Sequence, residues 1–503
     1  MSWLWSAFRH SAAASFKAQR AVNRGVGDAV AHHRLSNVPR QVRRRGFLAP
    51  GDGPAPLGAD LLDYRGVLEY RRAQAASARQ GAGVALGALV DVPNSASGTP
   101  FRLPLDEFYE HLAIVGPPGS GKTVGVIIPL VVRLLRAGAS VVVIDGKGDL
   151  HDQISRFAQE VPGTGLQVRK ARWSLIPGAG GSSWNPLQGV SVNDFQAIEG
   201  IKTAICGKEA PDPRHQDFHN RDMSVLGDAL RATIHTHSGP TLADVSRVFS
   251  DPAMLAAVAN DSRVPLPIRQ TLGREVADNE QLWSLRTKLQ PFAQEPMRSA
   301  TSTGNLDLSS VLRQQTLLTI GAEFTLKSLG EQGSALMINR LLALLEGRFG
   351  TDSGVPVVFV IDEAPALRRN IDLPHALATI RAARAGLVIA AQQATQFGAE
   401  EREQANILDS CKTVMLLEGA SELSARYLQG RIGKRTVGTY SVGRDARGMN
   451  RRTRTEARSE QVEMLGVREI VDPPFPGRTA FVHSRGIGAS PLVLNLQRGI
   501  LGE

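Results

Sequence analysis

A glycine-rich loop between a short apolar run and a helical segment is the feature that most constrains this chain of 503 residues. Residues 112–115 are Leu-Ala-Ile-Val, and residues 116–123 fit the spacing G-x-x-x-x-G-K-[ST] of a phosphate-binding loop. In such a loop the backbone N–H groups and the positive end of the following helix face one phosphate group. The pattern therefore predicts a buried strand, a Walker A loop and a helix, in that order.

Individual residues of this loop have predictable roles. Lys122 is expected to contact the β- and γ-phosphates of ATP, and the Thr123 hydroxyl to ligate Mg²⁺. The glycines allow the chain to wrap with its N–H groups pointing inward. The nucleotide-binding candidates in the loop are Gly116, Pro117, Pro118, Gly119, Ser120, Gly121, Lys122 and Thr123.

A second apolar run, residues 355–363 (VPVVFVIDE), ends in two carboxylates. Continuous apolar residues indicate a central strand that is buried on both faces, with its acidic end beside the phosphate-binding loop. We expect Asp362 to bind Mg²⁺, through water, and Glu363 to polarise the attacking water. An apolar run ending in Asp-Glu is weak evidence alone, but its place after a Walker A loop identifies it as a Walker B motif.

Polar residues after other predicted strands are further candidates. Gln392 ends a predicted strand, residues 387–392, and is expected to contact the γ-phosphate or the catalytic water. Arg381 and Arg384 precede it on a predicted helix, residues 373–385, where an arginine can reach a neighbouring subunit and neutralise charge on the transferred phosphoryl group. A solvated helix face is the alternative for both arginines. The catalytic candidates are Lys122, Glu363, Arg381 and Gln392.

The strand at residues 140–145 (SVVVID) also leads into polar residues. Side chains just past the carboxyl end of a parallel strand face the ligand crevice. Asp145, Lys147 and Asp149 are therefore site candidates, with ordinary loop charges as the alternative.

The alternation of short apolar runs with helical segments from residue 101 onward is typical of a parallel α/β sheet. Between residues 205 and 310 only helical signals occur, among them a capping box at residues 241–244 and an Asp251-Pro252 helix start. We therefore predict four segments. They are a basic, partly flexible N-terminal region (1–100), the first part of a nucleotide-binding domain (101–204), an all-α insertion domain (205–310) and the second part of the nucleotide-binding domain (311–503).

Some features of the sequence argue against other kinds of site and location. His215 and His219 lie four residues apart without an evident third ligand, which favours surface histidines over a metal site. No apolar run approaches the roughly 18 residues of a membrane-spanning helix. Two cysteines suit a reducing cytoplasm. We expect a cytoplasmic protein, and peripheral attachment at the inner face of the membrane stays open.

The net charge of +10 is concentrated in two stretches. Residues 1–50 and residues 424–458 carry +8 each, so the remainder carries 10 − 16 = −6. Concentrated basic stretches suit a polyanion, with nucleic acid first and an anionic membrane surface second. A disordered solubilising tail is an equal alternative for residues 1–50. Two more strands are predicted at residues 413–417 and 479–483, and the Arg-rich stretch between them is expected to form a mobile, basic loop.

Together these motifs resemble those of the type IV secretion coupling proteins, the TraG/TraD-like ATPases of conjugative DNA transfer. The likeness runs from about residue 101 to the end of the chain. Besides the two Walker motifs it comprises residues 145–149 (DGKGD), 185–187 (NPL), 362–367 (DEAPAL), Gln392 with Gln396, and 425–428 (ARYL). The Walker motifs occur in many ATPases, whereas the combination and its order are much more specific.

The resemblance implies a RecA-like P-loop NTPase core with an inserted all-α domain, assembled as a hexameric ring that hydrolyses ATP with Mg²⁺ and handles DNA in a central channel. Lys122, Thr123, Asp362, Glu363 and Gln392 match the nucleotide residues of the family, and Arg381 falls where its trans-acting arginine finger is expected. The all-α domain of that family is thought to receive relaxase and DNA. Family members usually begin with transmembrane helices, and this sequence contains none, so a separate membrane-anchored secretion subunit is a candidate partner.

Two alternative functions remain open at this point. One is a duplex DNA pump resembling the FtsK/HerA group, which the preference for single- or double-stranded DNA would distinguish. The other is a nucleotide-switched protein-interaction ATPase in a defence or mobile-element system, whose turnover would not respond to DNA. The sequence has no N-K-x-D element, which favours ATP over GTP.

Overall fold

The computed structural model describes most of the chain after residue 82. The described residues are 83–89, 100–160, 168–176, 181–277, 282–302, 304–322, 326–351, 354–444, 453–463, 466–472, 479–485 and 492–496. Our predictions for residues 1–82, with their basic first 50 residues, lie outside these ranges. The chain divides into two compact units, and the larger one holds the main sheet and the helices.

Thirteen strands occur in the described residues. They are β1 (Val84–Leu89), β2 (Pro100–Leu103), β3 (Leu112–Val115), β4 (Ser140–Asp145), β5 (Arg169–Trp173), β6 (Thr316–Gly321), β7 (Val357–Asp362), β8 (Ala385–Ala391), β9 (Thr413–Leu417), β10 (Lys434–Arg444), β11 (Thr453–Glu463), β12 (Thr479–Ser484) and β13 (Leu492–Asn495). Eleven form one sheet in the order β2-β1-β13-β12-β9-β3-β8-β7-β4-β6-β5. The seven strands from β9 to β5 are parallel to one another. This confirms the predicted RecA-like, mainly parallel α/β core.

The α-helices lie between these strands in the chain. They are α1 (Ile128–Arg136), α2 (Leu150–Glu160), α3 (Phe195–Cys206), α4 (Gln216–Thr236), α5 (Leu242–Ser250), α6 (Pro252–Asn260), α7 (Leu266–Ala277), α8 (Trp283–Leu289), α9 (Met297–Ala300), α10 (Ser309–Arg313), α11 (Ser328–Glu346), α12 (Leu373–Thr379), α13 (Glu401–Ser410), α14 (Glu422–Ile432) and α15 (Val467–Val471). Among the described residues, no helix combines the length and apolar composition that a membrane crossing requires.

The central parallel strands are almost entirely apolar because helices cover both faces of the sheet, whereas the edge strand β5 (RKARW) carries three basic residues. In β7, Val358 and Val360 join the hydrophobic cluster on one face, which includes residues of α1 and α2. Phe359 and Ile361 join the cluster on the other face, which includes α3, α4 and α11. Successive side chains of a strand point to opposite faces, so every residue of this strand needs an apolar neighbour. The continuous apolar run in the sequence follows from that requirement.

The edge of the sheet beyond β9 is antiparallel and was only partly predicted. β12 and β13 pair with each other, and β1 joins β13 to β2. The predicted boundary at residue 100 therefore falls on the first residue of β2, and β1, on the other side of that boundary, belongs to the same sheet. The sequence of β1, VALGAL, is rich in Ala and Gly, which have low strand propensity, and its register shifts between Ala85 and Gly87. These properties explain why its strand signal is weak.

The described residues between 205 and 310 contain helices and no strand. The predicted capping box is present, since Asp244 N–H donates to Thr241 Oγ1 at 3.2 Å and Thr241 N–H donates to Asp244 Oδ2 at 3.0 Å. Asp251 caps α6 as predicted, with Pro252 in its first turn. The apolar residues of these helices belong to the same core cluster as one face of the sheet. An independent all-α domain remains a prediction.

The two spaced histidines differ in exposure. His215 is exposed as predicted, but His219 is buried. His219 lies on the inner face of α4, which also buries Asp222 one turn later. The described residues contain no cluster of three or more side chains that could hold a metal ion.

The predicted helix over residues 373–385 is shorter in the structure. α12 ends at Thr379, a 3-10 turn covers Ile380–Ala383, and Arg384 has the left-handed backbone angle φ = 55° before β8 begins. A β-carbon on Gly386 would lie 1.8 Å from the carbonyl oxygen of Phe108, so the chain enters the sheet through a very close approach. This tertiary constraint overrides the helical propensity of the alanine-rich segment.

The Arg-rich stretch predicted as a mobile loop instead contains two strands. β10 and β11 form a separate two-stranded sheet within the smaller unit. The β10 sequence KRTVGTYSVGR has Thr, Val and Tyr, which favour strands, between its charged ends. The loop prediction gave too much weight to charge. Residues 445–452 of this stretch lie outside the described residues.

Two buried histidines carry an expected pH dependence of stability. His111 Nε2 lies 2.8 Å from Leu377 O, and its Nδ1 accepts a hydrogen bond from Leu387 N–H at 3.0 Å. His483 Nδ1 accepts from Arg431 Nε at 3.2 Å. Burial lowers the pKa of each to about 4; in His111 the Leu377 carbonyl and Glu110 oppose this, and in His483 Arg431 and Arg485 add to it. Both imidazoles are therefore neutral at pH 7.

We expect the free energy of unfolding to fall as the pH falls from about 6.5 to 4. In this window the unfolded chain protonates both histidines and the folded chain does not, so each histidine costs on the order of 3 kcal/mol by pH 4. Denaturant unfolding across this pH range measures the slope. His483→Gln should reduce the slope, whereas His237→Gln, at an exposed histidine, should not. An unchanged slope in His483→Gln would contradict the assignment.

Candidate functional site

The phosphate-binding loop leaves the sheet at its centre, since β3 lies between β8 and β9. Gly116 N–H donates to Ala391 O at 3.1 Å, and a β-carbon on Gly116 would lie 2.7 Å from Ser120 Oγ. Gly119 and Gly121 have φ angles of 81° and 86°. These values lie in the left-handed region that favours glycine. The glycine spacing is thus a requirement of this backbone.

The segment after the loop is helical, as predicted. A π-helical turn, Lys122–Ile127, begins directly after Gly121 and continues into α1. The Ser120 hydroxyl oxygen inside the loop is buried and has no hydrogen-bond partner among the described residues. An unpaired buried hydroxyl needs an explanation, and a phosphate oxygen bound in the loop would supply its partner. The loop therefore fits a nucleotide.

The Walker B acid meets the end of the Walker A loop. Thr123 Oγ1 donates a hydrogen bond to Asp362 Oδ2 at 2.9 Å. Lys122 Nζ lies 3.7 Å from Asp362 Oδ1 and 4.0 Å from Glu363 Oε2. The structure thus brings together four predicted residues that are about 240 positions apart in sequence. A hydroxyl and a carboxylate oxygen are the ligand types that Mg²⁺ prefers, so Thr123 and Asp362 fit this ion.

Glu363 has an unusual backbone conformation. It is a non-glycine residue in the left-handed region, at φ = 82° and ψ = 51°, and it precedes the 3-10 turn Ala364–Leu367. Such conformations cost on the order of 1–3 kcal/mol and often occur at functional sites. The turn directs the Glu363 carboxylate toward Gln392, whose Nε2 donates to Glu363 Oε2 at 3.2 Å. The predicted base and the predicted γ-phosphate contact are therefore neighbours.

The turn that carries Gln392 is held by the side chains of two residues, Gln396 and Ser424. Gln396 Oε1 accepts from the N–H groups of Gln392 and Gln393, both at 3.0 Å. Ser424 Oγ at the start of α14 accepts from Ala394 N–H at 3.0 Å. Ser424 was not predicted as part of the site, and a serine in the first turn of a helix usually indicates only capping.

Arg381 lies near the amino ends of the parallel strands, whereas the phosphate-binding loop lies at their carboxyl ends. It precedes β8, whereas Gln392 follows it, and seven strand residues span about 23 Å at 3.3 Å each. The Arg381 side chain is 64% exposed and lies 3.3 Å from Glu110 Oε1. Arg384, which directly precedes the amino end of β8, contacts Tyr109. Neither arginine lies at the phosphate-binding loop of this chain.

The strand β4 ends in a structural turn. Asp145 is buried and accepts hydrogen bonds from the backbone N–H groups of Lys147, Gly148 and Leu150 at 2.7–3.0 Å. Burial raises the pKa of Asp145, and these hydrogen bonds oppose the rise. This carboxylate therefore supports the turn that leads into α2. Lys147 and Asp149 are exposed and follow the carboxyl end of β4, the end of the parallel strands at which the phosphate-binding loop lies.

Solved structures of the coupling protein TrwB share this fold. The unbound form of the bacterial conjugative coupling protein TrwBdeltaN70 has a TM-score of 0.61 and 13% identity over 85% of this chain and 91% of that chain. Structures of plasmid coupling protein TrwB with the non-hydrolysable ATP analogue ADPNP and with ADP and Mg²⁺ each have a TM-score of 0.59 and 14% identity. Each covers 85% of this chain and 92% of that chain. At such low identity the likeness is evidence for the fold.

A comparison with proteins of curated function found no match. The family model described as type IV secretory system conjugative DNA transfer matches residues 73–465, well over half of the chain. The match contains both Walker motifs, the helical segment and Gln392. The chain therefore belongs to the type IV secretory system conjugative DNA transfer family.

Proposed function

We propose that this protein is an ATP-hydrolysing motor that moves DNA in conjugative transfer. One observation carries the proposal. The side chains of five predicted residues converge at the carboxyl ends of the parallel strands, in a chain of the conjugative DNA transfer family: Lys122, Thr123, Asp362, Glu363 and Gln392. The ATP analogue, ADP and Mg²⁺ found in TrwB structures support ATP and Mg²⁺ as the ligands of this site.

Each residue of the site has a proposed role that its position supports. The loop, residues 116–123, binds the phosphates through its N–H groups, and Lys122 neutralises their charge. Thr123 and Asp362 hold Mg²⁺, which when bound neutralises charge that develops on the phosphate oxygens. Glu363 accepts the proton of the attacking water, and Gln392 orients that water. The hydrogen bond between Gln392 and Glu363 supports a shared water position.

Arg381 is proposed to act on the site of a neighbouring subunit. Its distance from its own phosphate-binding loop and its high exposure support a role in trans. Such a role requires a head-to-tail arrangement of subunits, which forms a ring when the rotation between neighbours closes. A hexamer is the ring that the family resemblance implies.

DNA is the proposed substrate of the motor. Residues 424–458 carry a net charge of +8 in a chain of the conjugative transfer family, which supports contacts with DNA phosphates. Single-stranded and duplex DNA are separate outcomes of the test below. Relaxase, or a separate membrane-anchored secretion subunit, is the proposed protein partner, at the inner face of the membrane.

Steady-state hydrolysis of ATP and GTP, without DNA and with single-stranded or duplex DNA, tests this function. We expect ATPase activity that DNA stimulates several-fold, that falls at moderate salt, and that Lys122→Ala abolishes. A preference for duplex DNA would favour a pump of the FtsK/HerA type. Robust turnover that ignores every form of DNA would contradict the motor and favour a protein-handling ATPase.

A further inference from the structure

The backbone of the turn after β8 is held by the Gln396 side chain. Its carbonyl oxygen Oε1 accepts hydrogen bonds from two successive N–H groups, those of Gln392 and Gln393, at 3.0 Å each. Both lone pairs of that oxygen are thereby used. Gln396 also takes part in a reciprocal capping arrangement with Gln393 around the 3-10 turn Ala394–Phe397. The direction in which the chain leaves β8 is fixed by this contact.

The same contact is linked to the proposed catalytic base. The Gln392 N–H is bound by Gln396, while Gln392 Nε2 donates to Glu363 Oε2 at 3.2 Å. A displacement of the Gln392 backbone would therefore move the amide that contacts Glu363. The Glu363 backbone is itself in the left-handed region, so its carboxylate is placed by a strained turn on one side and by Gln392 on the other.

A second support reaches the turn from α14. Ser424 is buried, and its Oγ accepts from Ala394 N–H at 3.0 Å and lies 2.9 Å from Ser421 Oγ. Phe397, at the end of the turn, is fully buried. The turn is thus anchored in the core after Gln393. Gln396 is the described side chain that connects this anchored part back to Gln392.

We infer that Gln396 is a positioning residue for ATP hydrolysis, which acts by holding Gln392 where it can orient water beside Glu363. This inference rests on the proposed function. Gln396 contacts neither Lys122 nor Thr123 in any hydrogen bond of the described residues. Its loss should therefore lower the rate of the chemical step and leave nucleotide binding intact, because the interaction is needed only where water and γ-phosphate react.

Three variants of the full chain test the role. Gln396→Met has a similar size and lacks the oxygen acceptor, whereas Gln396→Glu keeps an oxygen that accepts both N–H groups. Gln393→Met is the matched control, because Gln393 is exposed and caps the same turn without binding the Gln392 N–H. Readouts are kcat, KM for ATP, the Kd of a non-hydrolysable ATP analogue, and the thermal midpoint.

We expect Gln396→Met to lower kcat about 10- to 100-fold, the range for small misplacements of a reacting group, with KM and Kd within about twofold of the wild type. Gln396→Glu should restore most of kcat, and Gln393→Met should retain it. In a Gln392→Ala background, Gln396→Met should cause no further loss, because the two residues act as one unit.

Other outcomes separate the failure of this inference from the failure of the proposed function. A wild-type chain without ATPase activity would remove the proposed function itself. An active wild type with Gln396→Met no slower than Gln393→Met would overturn the positioning role. Full additivity of the Gln392 and Gln396 changes, or a Gln396→Glu variant as slow as Gln396→Met, would also overturn it.

Discussion

Replacing Glu363 by Gln is expected to lower the ATP turnover rate by about 100-fold or more while ATP binding persists, since loss of a general base typically costs on the order of 10²–10⁴-fold. The amide has nearly the same shape as the carboxylate, so it fits the turn after β7. It cannot take a proton from water at neutral pH. The Lys122, Thr123 and Asp362 groups are unchanged, so the phosphate and Mg²⁺ contacts remain available.

Single-turnover hydrolysis and binding of labelled ATP measure the two parts of this expectation separately. Asp152→Asn is a suitable control. Asp152 is an exposed carboxylate in the first turn of α2, which follows the carboxyl end of β4. This variant should hydrolyse ATP at the wild-type rate. Normal turnover in Glu363→Gln would place the base elsewhere, and loss of ATP binding would show that Glu363 has a structural role in the loop.

The centre of the fold was predictable because its strands have one physical requirement. A parallel strand covered by helices on both faces must be apolar throughout, and its polar residues must begin where it ends. Between their terminal residues β4, β7 and β9 satisfy this requirement, and β4 and β9 match the predicted bounds residue by residue. The Walker loop adds a backbone requirement, since the left-handed angles at Gly119 and Gly121 favour glycine.

Features that depend on tertiary contacts were not predictable in this way. The helix expected through residue 385 ends at Thr379 because Gly386 packs against the Phe108 carbonyl, a contact between segments 278 positions apart. The left-handed Glu363 carries no sequence signal, because glutamate rarely adopts that conformation. Ser424 resembles any helix cap until its partner, the Ala394 N–H, is known.

The candidate site was therefore predicted as a set of chemical groups, and only the structure supplies their arrangement. Lys122, Thr123, Asp362 and Glu363 were predicted to lie together, and they do. Asp145 was predicted as a site candidate, with an ordinary loop charge as the alternative, and its carboxylate accepts hydrogen bonds from three backbone N–H groups. A strand-end carboxylate is thus equally suited to a ligand and to the turn that follows it, and the sequence does not separate the two uses.

Arg381→Ala is expected to lower ATP turnover by about 100-fold or more, since arginine fingers contribute on the order of 10³–10⁵-fold in related chemistry. The loss should need a neighbouring subunit, because Arg381 lies about 23 Å along β8 from Gln392 at 3.3 Å per residue. Arg313→Ala is the matched control. Arg313 precedes the amino end of β6, as Arg381 precedes that of β8. The Arg313 side chain is 67% exposed against 64% for that of Arg381, and it pairs with Asp307 as Arg381 pairs with Glu110.

Mixing two inactive chains decides whether Arg381 acts in trans. In a ring of Arg381→Ala and Glu363→Gln subunits, a site with an intact Glu363 can face an intact Arg381 from its neighbour. Random assembly from equal amounts regenerates roughly one quarter of the sites in a head-to-tail ring. Activity should therefore rise from near zero in each separate variant to a substantial fraction of the wild-type rate. If the mixture stays inactive although the subunits exchange, Arg381 acts within its own chain or not at all. Its position near the amino end of β8 is then explained by a structural role, the ion pair with Glu110.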